Sequence, residues 1–114
     1  MRLNDKVVII TGATTGIGCA TAKRFAVEGA ILILVARTKQ KLEVLSTELQ
    51  GLGARVVIKQ VDVTIPEELD EMIHQVFLAH NRIDILINNA GVGLIAPIEF
   101  SHENLIRRMF ETNF

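Results

Sequence analysis

A glycine-rich stretch near the start of the chain, TGATTGIG, has the residue types and spacing of a phosphate-binding loop. It contains Gly12, Gly16 and Gly18, with Thr14 and Thr15 after the first glycine. Glycine lets a backbone turn tightly and approach a bulky anion, and the free N–H groups at the start of a following helix favour negative charge. Threonine hydroxyls can add hydrogen bonds to phosphate oxygens. The stretch therefore predicts a site for the pyrophosphate of a dinucleotide, with a glycine-rich turn that only eases packing as the alternative.

The loop differs from that of a nucleoside triphosphatase. Such loops follow their last glycine with a Lys and then a Ser or Thr, whereas this chain has Ile17, Gly18 and Cys19 in that region. We include Ile17 among the predicted cofactor-binding residues, together with the glycines on either side of it.

The elements that position this loop follow a regular alternation of apolar runs and helix-like segments. The predicted strands are 6–11, 31–36, 54–62 and 82–88, and the predicted helices are 17–29, 38–50, 64–80 and one that begins near Ser101. Strands this apolar need helices on both faces of their sheet, and right-handed crossovers then give a parallel, doubly wound sheet. The sequence therefore predicts one α/β domain of four βα units over residues 1–114.

Two local features are expected in these helices. The spacing of Ile17, Thr21 and Phe25 places them on one face of the first helix, and Gly29 lies near its end. Thr64 and Glu67 have the spacing of a capping box at the start of the third helix, in which the two side chains bind backbone N–H groups reciprocally.

Composition and charge narrow the possible function classes. The net charge of −1 gives no basic field for nucleic acid or an anionic membrane, so neither is an expected partner. Cys19 is the single cysteine, which excludes an internal disulfide and favours a reducing, cytoplasmic compartment. His74, His80 and His102 do not have the spacing of a metal site, so no metal is expected.

Four motifs in order along the chain carry a resemblance to a known family. They are the glycine loop, DVT at 62–64, NNAG at 88–91 and the Asn at 113. With these motifs the chain resembles the N-terminal half of a short-chain dehydrogenase/reductase over nearly its whole length. The resemblance implies an incomplete Rossmann-type sheet of strand order 3-2-1-4, in which the fourth strand would be an exposed apolar edge. It also implies truncation before the catalytic region and, for the complete protein, a homo-oligomer.

The resemblance assigns roles at the cofactor site. It implies that the loop holds a nicotinamide dinucleotide and that Asp62 and Val63 contact adenine. It also implies that the adenosine ribose and the floor of the site are lined by Asn89, Ala90 and Gly91. The residues alone leave alternatives open, because Asp62 also suits a plain polar strand end and asparagine suits a turn.

The end of the second predicted strand indicates which dinucleotide binds. An acidic residue there commonly binds the 2′-hydroxyl of the NAD ribose, but this chain has Ala36 at that place. Arg37 can bind a 2′-phosphate through its planar guanidinium, and Lys39 adds positive charge nearby. We therefore expect NADP(H) rather than NAD(H), which the resemblance also implies for an Arg here. The alternative is a solvated basic surface on the first turn of the next helix.

By the same resemblance, the reaction is hydride transfer between the nicotinamide and a carbonyl or alcohol carbon. It needs a Tyr as general acid/base, a Lys that lowers the pKa of that Tyr, a Ser that orients the substrate oxygen and an Asn in a proton relay. Asn113 matches the relay Asn, and the chain contains no Tyr. The apolar stretch VGLIAPIEF at 92–100 suggests an uncharged alcohol or carbonyl substrate.

These observations give one main interpretation and two alternatives. We expect the chain to be the cofactor-binding half of an NADP-dependent oxidoreductase, inactive by itself because it has no Tyr. The alternatives are a non-catalytic NADP-binding module and a gene remnant whose product barely folds. Cofactor binding would separate the remnant from the other two.

Overall fold

The structure of the chain, a computed structural model, describes residues 3–88 and 94–97. The predicted alternation of strands and helices is confirmed as far as the fourth strand, with bounds that differ by a few residues. The elements are β1 (Val7–Thr11), α1 (Gly16–Val27), β2 (Ile31–Ala36), α2 (Lys39–Gly51), β3 (Arg55–Gln60), α3 (Pro66–His80), β4 (Ile85–Asn88) and β5 (Leu94–Pro97). The helix predicted to begin near Ser101 lies outside the described residues.

The strands form a single sheet in the order β3-β2-β1-β4-β5. The first four are parallel, and β1 lies between β2 and β4, so that Val8 is opposite Leu32 on one side and Ile85 on the other. The predicted strand order 3-2-1-4 and the Rossmann-type α/β arrangement are confirmed. The carboxyl ends of these strands, including the glycine loop after β1, therefore meet at one edge of the sheet.

Helices cover both faces of the sheet, as continuous apolar strands require. Val7 and Ile9 pack in the core under α3, whereas Val8 and Ile10 pack in the core under α1 and α2. Consecutive residues of β1 thus enter opposite cores, because side chains alternate across a strand. All four of these side chains are essentially inaccessible to solvent, which makes β1 the centre of the fold.

The predicted exposed edge at β4 is wrong. Residues 94–97, which lie outside the predicted strands, form β5 and pair antiparallel with β4, with Ile87 opposite Ile95. The physical reason is that the outer side of β4 offers unpaired N–H and C=O groups, and a nearby extended segment of the same chain binds them. Pro97 at the end of β5 has no N–H to donate, which suits the outermost strand of the described sheet.

Helix α1 packs on the sheet through small residues and not through the face that carries Ile17, Thr21 and Phe25. The buried residues of this helix are Gly18, Ala22 and Ala26, whereas Ile17 is 74% exposed. The small residues recur every four positions and let the helix lie close against the neighbouring strands. Close approach of the backbone, rather than apolar character, therefore decides which side of α1 faces the sheet.

The predicted capping box at α3 is not formed. The helix begins at Pro66 with Ile65 as the N-cap residue, which makes no side-chain capping bond within the described chain. Thr64 lies one residue further back, and its hydroxyl donates to the Asp62 carboxylate instead. Proline at the first helical position needs no N–H partner, so the helix starts there without the box.

Candidate dinucleotide site

The carboxyl ends of β1, β2 and β3 surround a cavity of about 430 Å³. Each strand contributes the segment that directly follows it or ends it. The lining residues are Gly12, Thr14 and Thr15 after β1, Val35 and Ala36 at the end of β2, Arg37 and Thr38 after β2, and Val61, Asp62, Val63 and Thr64 after β3. A crevice at this end of an open parallel sheet is where such folds bind ligands.

The glycine loop is held in shape by Thr15. Its hydroxyl donates to the Gly12 carbonyl at 2.8 Å and accepts from the Gly18 N–H at 3.2 Å, which makes Thr15 the N-cap of α1. The Thr15 N–H also donates to the Gly12 carbonyl, at 3.1 Å. The Thr15 hydroxyl proton is therefore used within the loop, which leaves Thr14 as the other hydroxyl of the loop that lines the cavity.

The three glycines of the loop differ in the backbone constraint that each position imposes. Gly12 has a φ of 60°, in the left-handed region that favours this residue. A Cβ on Gly18 would lie 2.1 Å from the Gly12 carbonyl oxygen and 3.0 Å from the Ala13 Cα, so no side chain fits there. A Cβ on Gly16 would meet no atom within 4 Å, and this glycine leaves open surface at the start of α1.

The end of β2 presents a cation where an NAD site would present a carboxylate. Ala36 is half-buried and Arg37 is exposed, and both line the cavity. The Gln60 side chain donates from Nε2 to the Arg37 carbonyl at 3.1 Å. Thr38, the N-cap of α2, makes no side-chain capping bond among the described residues, so its hydroxyl does not occupy the first N–H groups of α2, which begins two residues after Arg37.

The end of β3 presents an ionised carboxylate. The Thr64 hydroxyl and N–H donate to Asp62 Oδ1 at 2.6 and 3.0 Å, and these hydrogen bonds hold the pKa of the Asp62 carboxyl below its usual value. The positive charge of Arg37 acts in the same direction. The Asp62 N–H donates to Glu68 Oε1 at 3.2 Å, which joins the loop after β3 to the first turns of α3.

Seven of the predicted cofactor-binding residues meet at the cavity. They are Gly12, Thr14, Thr15, Ala36, Arg37, Asp62 and Val63. Four others belong to the adjoining helices and are not among its lining residues: Gly16, Ile17, Gly18 and Lys39. The Lys39 ammonium lies 3.9 Å from Glu43 Oε1, one helical turn along α2. Asn89, Ala90, Gly91 and Asn113 lie outside the described residues.

Several residues at the site were not predicted from the sequence. Val35 lies near the end of β2 and Val61 directly follows β3, whereas Thr38 and Thr64 lie in the connections that lead from these strands to the next helices. Thr64 belongs to the DVT motif, but its spacing to Glu67 predicts a helix cap and not a residue of the site. Gln60 had no signal of its own, since a polar residue at the end of a strand is ordinary.

Neither a metal site nor a membrane-spanning helix is found in the described part of the chain. Among the described residues, no three His, Cys, Asp or Glu side chains lie together in a way that would hold a metal ion. None of the described helices has the length and apolar character needed to cross a bilayer.

Comparison with known proteins agrees with this geometry. A family model described as short chain dehydrogenase matches residues 6–114. The 3-oxoacyl-[acyl-carrier-protein] reductase FabG of Thermotoga maritima is 42% identical over 92 residues, which cover 81% of this chain and 37% of that protein. The structure of L-sorbose reductase from Gluconobacter frateurii, complexed with NADPH and L-sorbose, has a TM-score of 0.77 and 35% identity, covering 99% of this chain and 46% of that one.

A second solved structure shows that the other dinucleotide also occurs among the neighbours. NAD⁺-bound xylitol dehydrogenase has a TM-score of 0.76 and 34% identity, covering 80% of this chain and 35% of that one. The chain spans less than half the length of each of these three proteins. Because the family model matches nearly every residue and the sheet, loop and cavity have the expected arrangement, the chain belongs to the short-chain dehydrogenase family.

Proposed function

We propose that residues 1–114 form the N-terminal, cofactor-binding part of a single Rossmann domain in an NADP(H)-dependent short-chain dehydrogenase/reductase. The reaction is hydride transfer between the nicotinamide and an uncharged alcohol or carbonyl compound. One observation carries the choice of cofactor: Arg37 lines the cavity directly after Ala36, at the strand end where an NAD site would have a carboxylate.

The described residues fit a dinucleotide. Gly12 and Gly18 bring the loop onto the start of α1 without any side chain between them, so the backbone can approach a pyrophosphate closely. The first turn of α1, which is described in full, carries no acidic residue. The positive end of the α1 dipole is therefore uncompensated by a carboxylate of its own, which favours a phosphate there.

Charge at the end of β2 favours NADP(H) over NAD(H). A 2′-phosphate brings negative charge that Arg37 can bind through two N–H groups at once. The start of α2 is next to Arg37, and its first turn has no acidic residue within this described helix. Lys39 is exposed in the same turn, and we propose that it adds charge without direct contact. Solved neighbours hold either cofactor, so the family alone does not decide the choice.

The remaining site residues have proposed roles that follow from the family. Asp62 and Val63 contact adenine, and Asp62 enters this contact ionised, with one oxygen already bound by Thr64. Asn89, Ala90 and Gly91 line the adenosine ribose. Asn113 takes part in a proton relay. The bound dinucleotide supplies or accepts the hydride, while these side chains bind and orient it.

The chain has no Tyr to act as the general acid, so we expect it to bind NADP(H) without turnover by itself. The same observation keeps a second candidate function open, a non-catalytic NADP-binding module. A polypeptide that continues into a Ser and a Tyr-x-x-x-Lys motif would favour the enzyme. Cytoplasmic location and a homo-oligomeric complete protein stay predictions.

Calorimetric titration of the 114-residue chain with NADPH and with NADH tests the proposal. We expect NADPH to bind more tightly, and Arg37→Ala to weaken NADPH binding by about 10- to 100-fold, the value of a charged hydrogen bond, with little effect on NADH. Arg24→Ala removes the same charge from the last turn of α1, outside the cavity, and serves as the control. Tighter binding of NADH by the unmodified chain would overturn the proposed preference.

A further inference from the structure

Gln60 makes a hydrogen bond that extends the β2–β3 pairing beyond its last ladder position. Ala36 and Gln60 are the final opposed residues of the two strands, and the Val61 N–H donates to the Ala36 carbonyl at 3.0 Å. The next carbonyl, that of Arg37 directly after β2, accepts no backbone hydrogen bond from the described residues. The Gln60 side chain takes that place, donating from Nε2 at 3.1 Å.

This bond acts on a two-residue connection whose other backbone hydrogen bond among the described residues runs from the Leu42 N–H to the Thr38 carbonyl, at 3.2 Å. Only Arg37 and Thr38 lie between the end of β2 and the start of α2. Thr38 makes no side-chain capping bond in the part of the chain that the structure describes. The orientation of the Arg37 peptide group sets where its Cα–Cβ bond points, and so where the guanidinium can reach.

We infer that Gln60 is a positioning residue for cofactor choice: its hydrogen bond to the Arg37 carbonyl directs the guanidinium to the 2′-phosphate of NADP(H). The inference rests on the proposed NADP site and adds to it a determinant on a different strand. Gln60 carries no charge, so it does not attract the phosphate itself. Its effect depends on Arg37, whereas Lys39 and the α2 dipole would act on the phosphate directly through their charge.

The test uses two small ligands that differ only in the 2′-phosphate. The 114-residue chain and its variants are titrated with 2′,5′-ADP and with 5′-AMP by calorimetry. Gln60→Met keeps the length of the side chain and removes the donor. We expect it to weaken 2′,5′-ADP binding about 3- to 10-fold, the value of one hydrogen bond, and to leave 5′-AMP binding unchanged. Gln60→Thr, which suits a strand but is too short to reach, must give the same shift.

Two controls distinguish positioning from a general structural effect. Gln75→Met makes the same exchange on the exposed face of α3, where Gln75 bonds Lys59 and Glu71, and should change neither affinity. In the Arg37→Ala background, Gln60→Met should have no further effect on 2′,5′-ADP, because the residue it positions is gone. An additive loss in the double variant would overturn the inference.

The outcomes separate this inference from the function on which it rests. If the unmodified chain binds the two ligands equally, the proposed NADP preference fails, and the inference fails with it. If the chain prefers 2′,5′-ADP and both Gln60 variants keep that preference, the inference alone is wrong and Arg37 needs no support from β3.

Discussion

The carbonyl oxygen of Gly12 lies 2.1 Å from the point where a Cβ on Gly18 would stand. That separation is far inside van der Waals contact, and the blocking atom is backbone, which cannot rotate away as a side-chain end does. We therefore expect Gly18→Ala to destabilise the chain by about 1–3 kcal/mol or more, the usual cost of overpacking, and to abolish dinucleotide binding by moving the loop. Urea unfolding and NADPH titration measure the two effects.

Gly16→Ala is the matched control for that prediction. It adds the same methyl group two residues earlier, where nothing lies within 4 Å. Because Ala is a better helix former than Gly, the free energy of unfolding should stay equal or rise by up to about 1 kcal/mol. Equal destabilisation by the two substitutions would show that the contact between Gly12 and Gly18 does not decide the loop geometry.

The Thr15 hydroxyl joins both ends of the glycine loop, and its removal should be measurable. Thr15→Val keeps the shape and loses the bonds to Gly12 and Gly18, so we expect a loss of about 1 kcal/mol in unfolding free energy. Thr15→Ser should restore most of it, since serine caps helices as well. Thr47→Val removes a hydroxyl that bonds only a carbonyl of its own exposed helix, and it should cost much less. A similar loss at both positions would contradict the capping role.

Ala36→Asp should reverse the choice of dinucleotide. The new carboxylate would stand at the end of β2 beside Arg37, where it can accept from a ribose 2′-hydroxyl and repels a 2′-phosphate. We expect NADPH binding to weaken at least 10-fold and NADH binding to strengthen. Ala36→Asn has nearly the same shape without charge and should produce only a small part of this change. An unchanged ratio of the two dissociation constants would show that the 2′-phosphate does not bind near Ala36.

The sequence was sufficient for the features that depend on local pattern. Continuous apolar runs identified β1 to β4, and the spacing of Gly12, Gly16 and Gly18 identified the loop, because buried parallel strands and phosphate-binding turns impose those residues directly. The strand order 3-2-1-4 came from the family resemblance alone. Seven predicted residues from three separate segments then met at one cavity.

The errors arose where contacts between distant segments outweigh local pattern. The side of α1 that faces the sheet was not identified from the sequence, because the close approach at Gly18 decides it and leaves the apolar Ile17 exposed. β5 is a short run ending in Pro97, and only its proximity to β4 makes it a strand. The bond from Gln60 to the Arg37 carbonyl needs the register of two strands, which no spacing along the chain reveals.

Asp84 joins the start of β4 to the start of β1 at the edge of the sheet opposite the cavity. Its Oδ2 accepts from the Val7 N–H at 2.8 Å, and its own N–H donates to the Val7 carbonyl at 2.9 Å. Arg82 donates to the other carboxylate oxygen at 2.5 Å. Because Val7 is buried, Asp84→Ala leaves its N–H without this acceptor, and we expect a loss of about 1–3 kcal/mol. Arg82→Ala removes only a half-exposed partner and should cost at most about 1 kcal/mol.

The same carboxylate should make stability depend on pH in the acid range. Burial raises the pKa of Asp84, but hydrogen bonds from Arg82 and Val7, with the charges of Arg82 and Lys6, outweigh it and hold the pKa below the usual 3.8. The folded state therefore favours the ionised form of Asp84. This stabilisation is fully present above the pKa of the unfolded state and is lost as pH falls through the lower pKa of the folded state.

Urea unfolding between roughly pH 6 and 3 should show a flatter profile of unfolding free energy against pH for Asp84→Asn than for the unmodified chain. Glu43→Gln, on the exposed face of α2, removes a carboxylate without these partners and should keep the steeper profile. Parallel profiles for the unmodified chain and Asp84→Asn would mean that the Asp84 carboxylate is not preferentially ionised in the folded state.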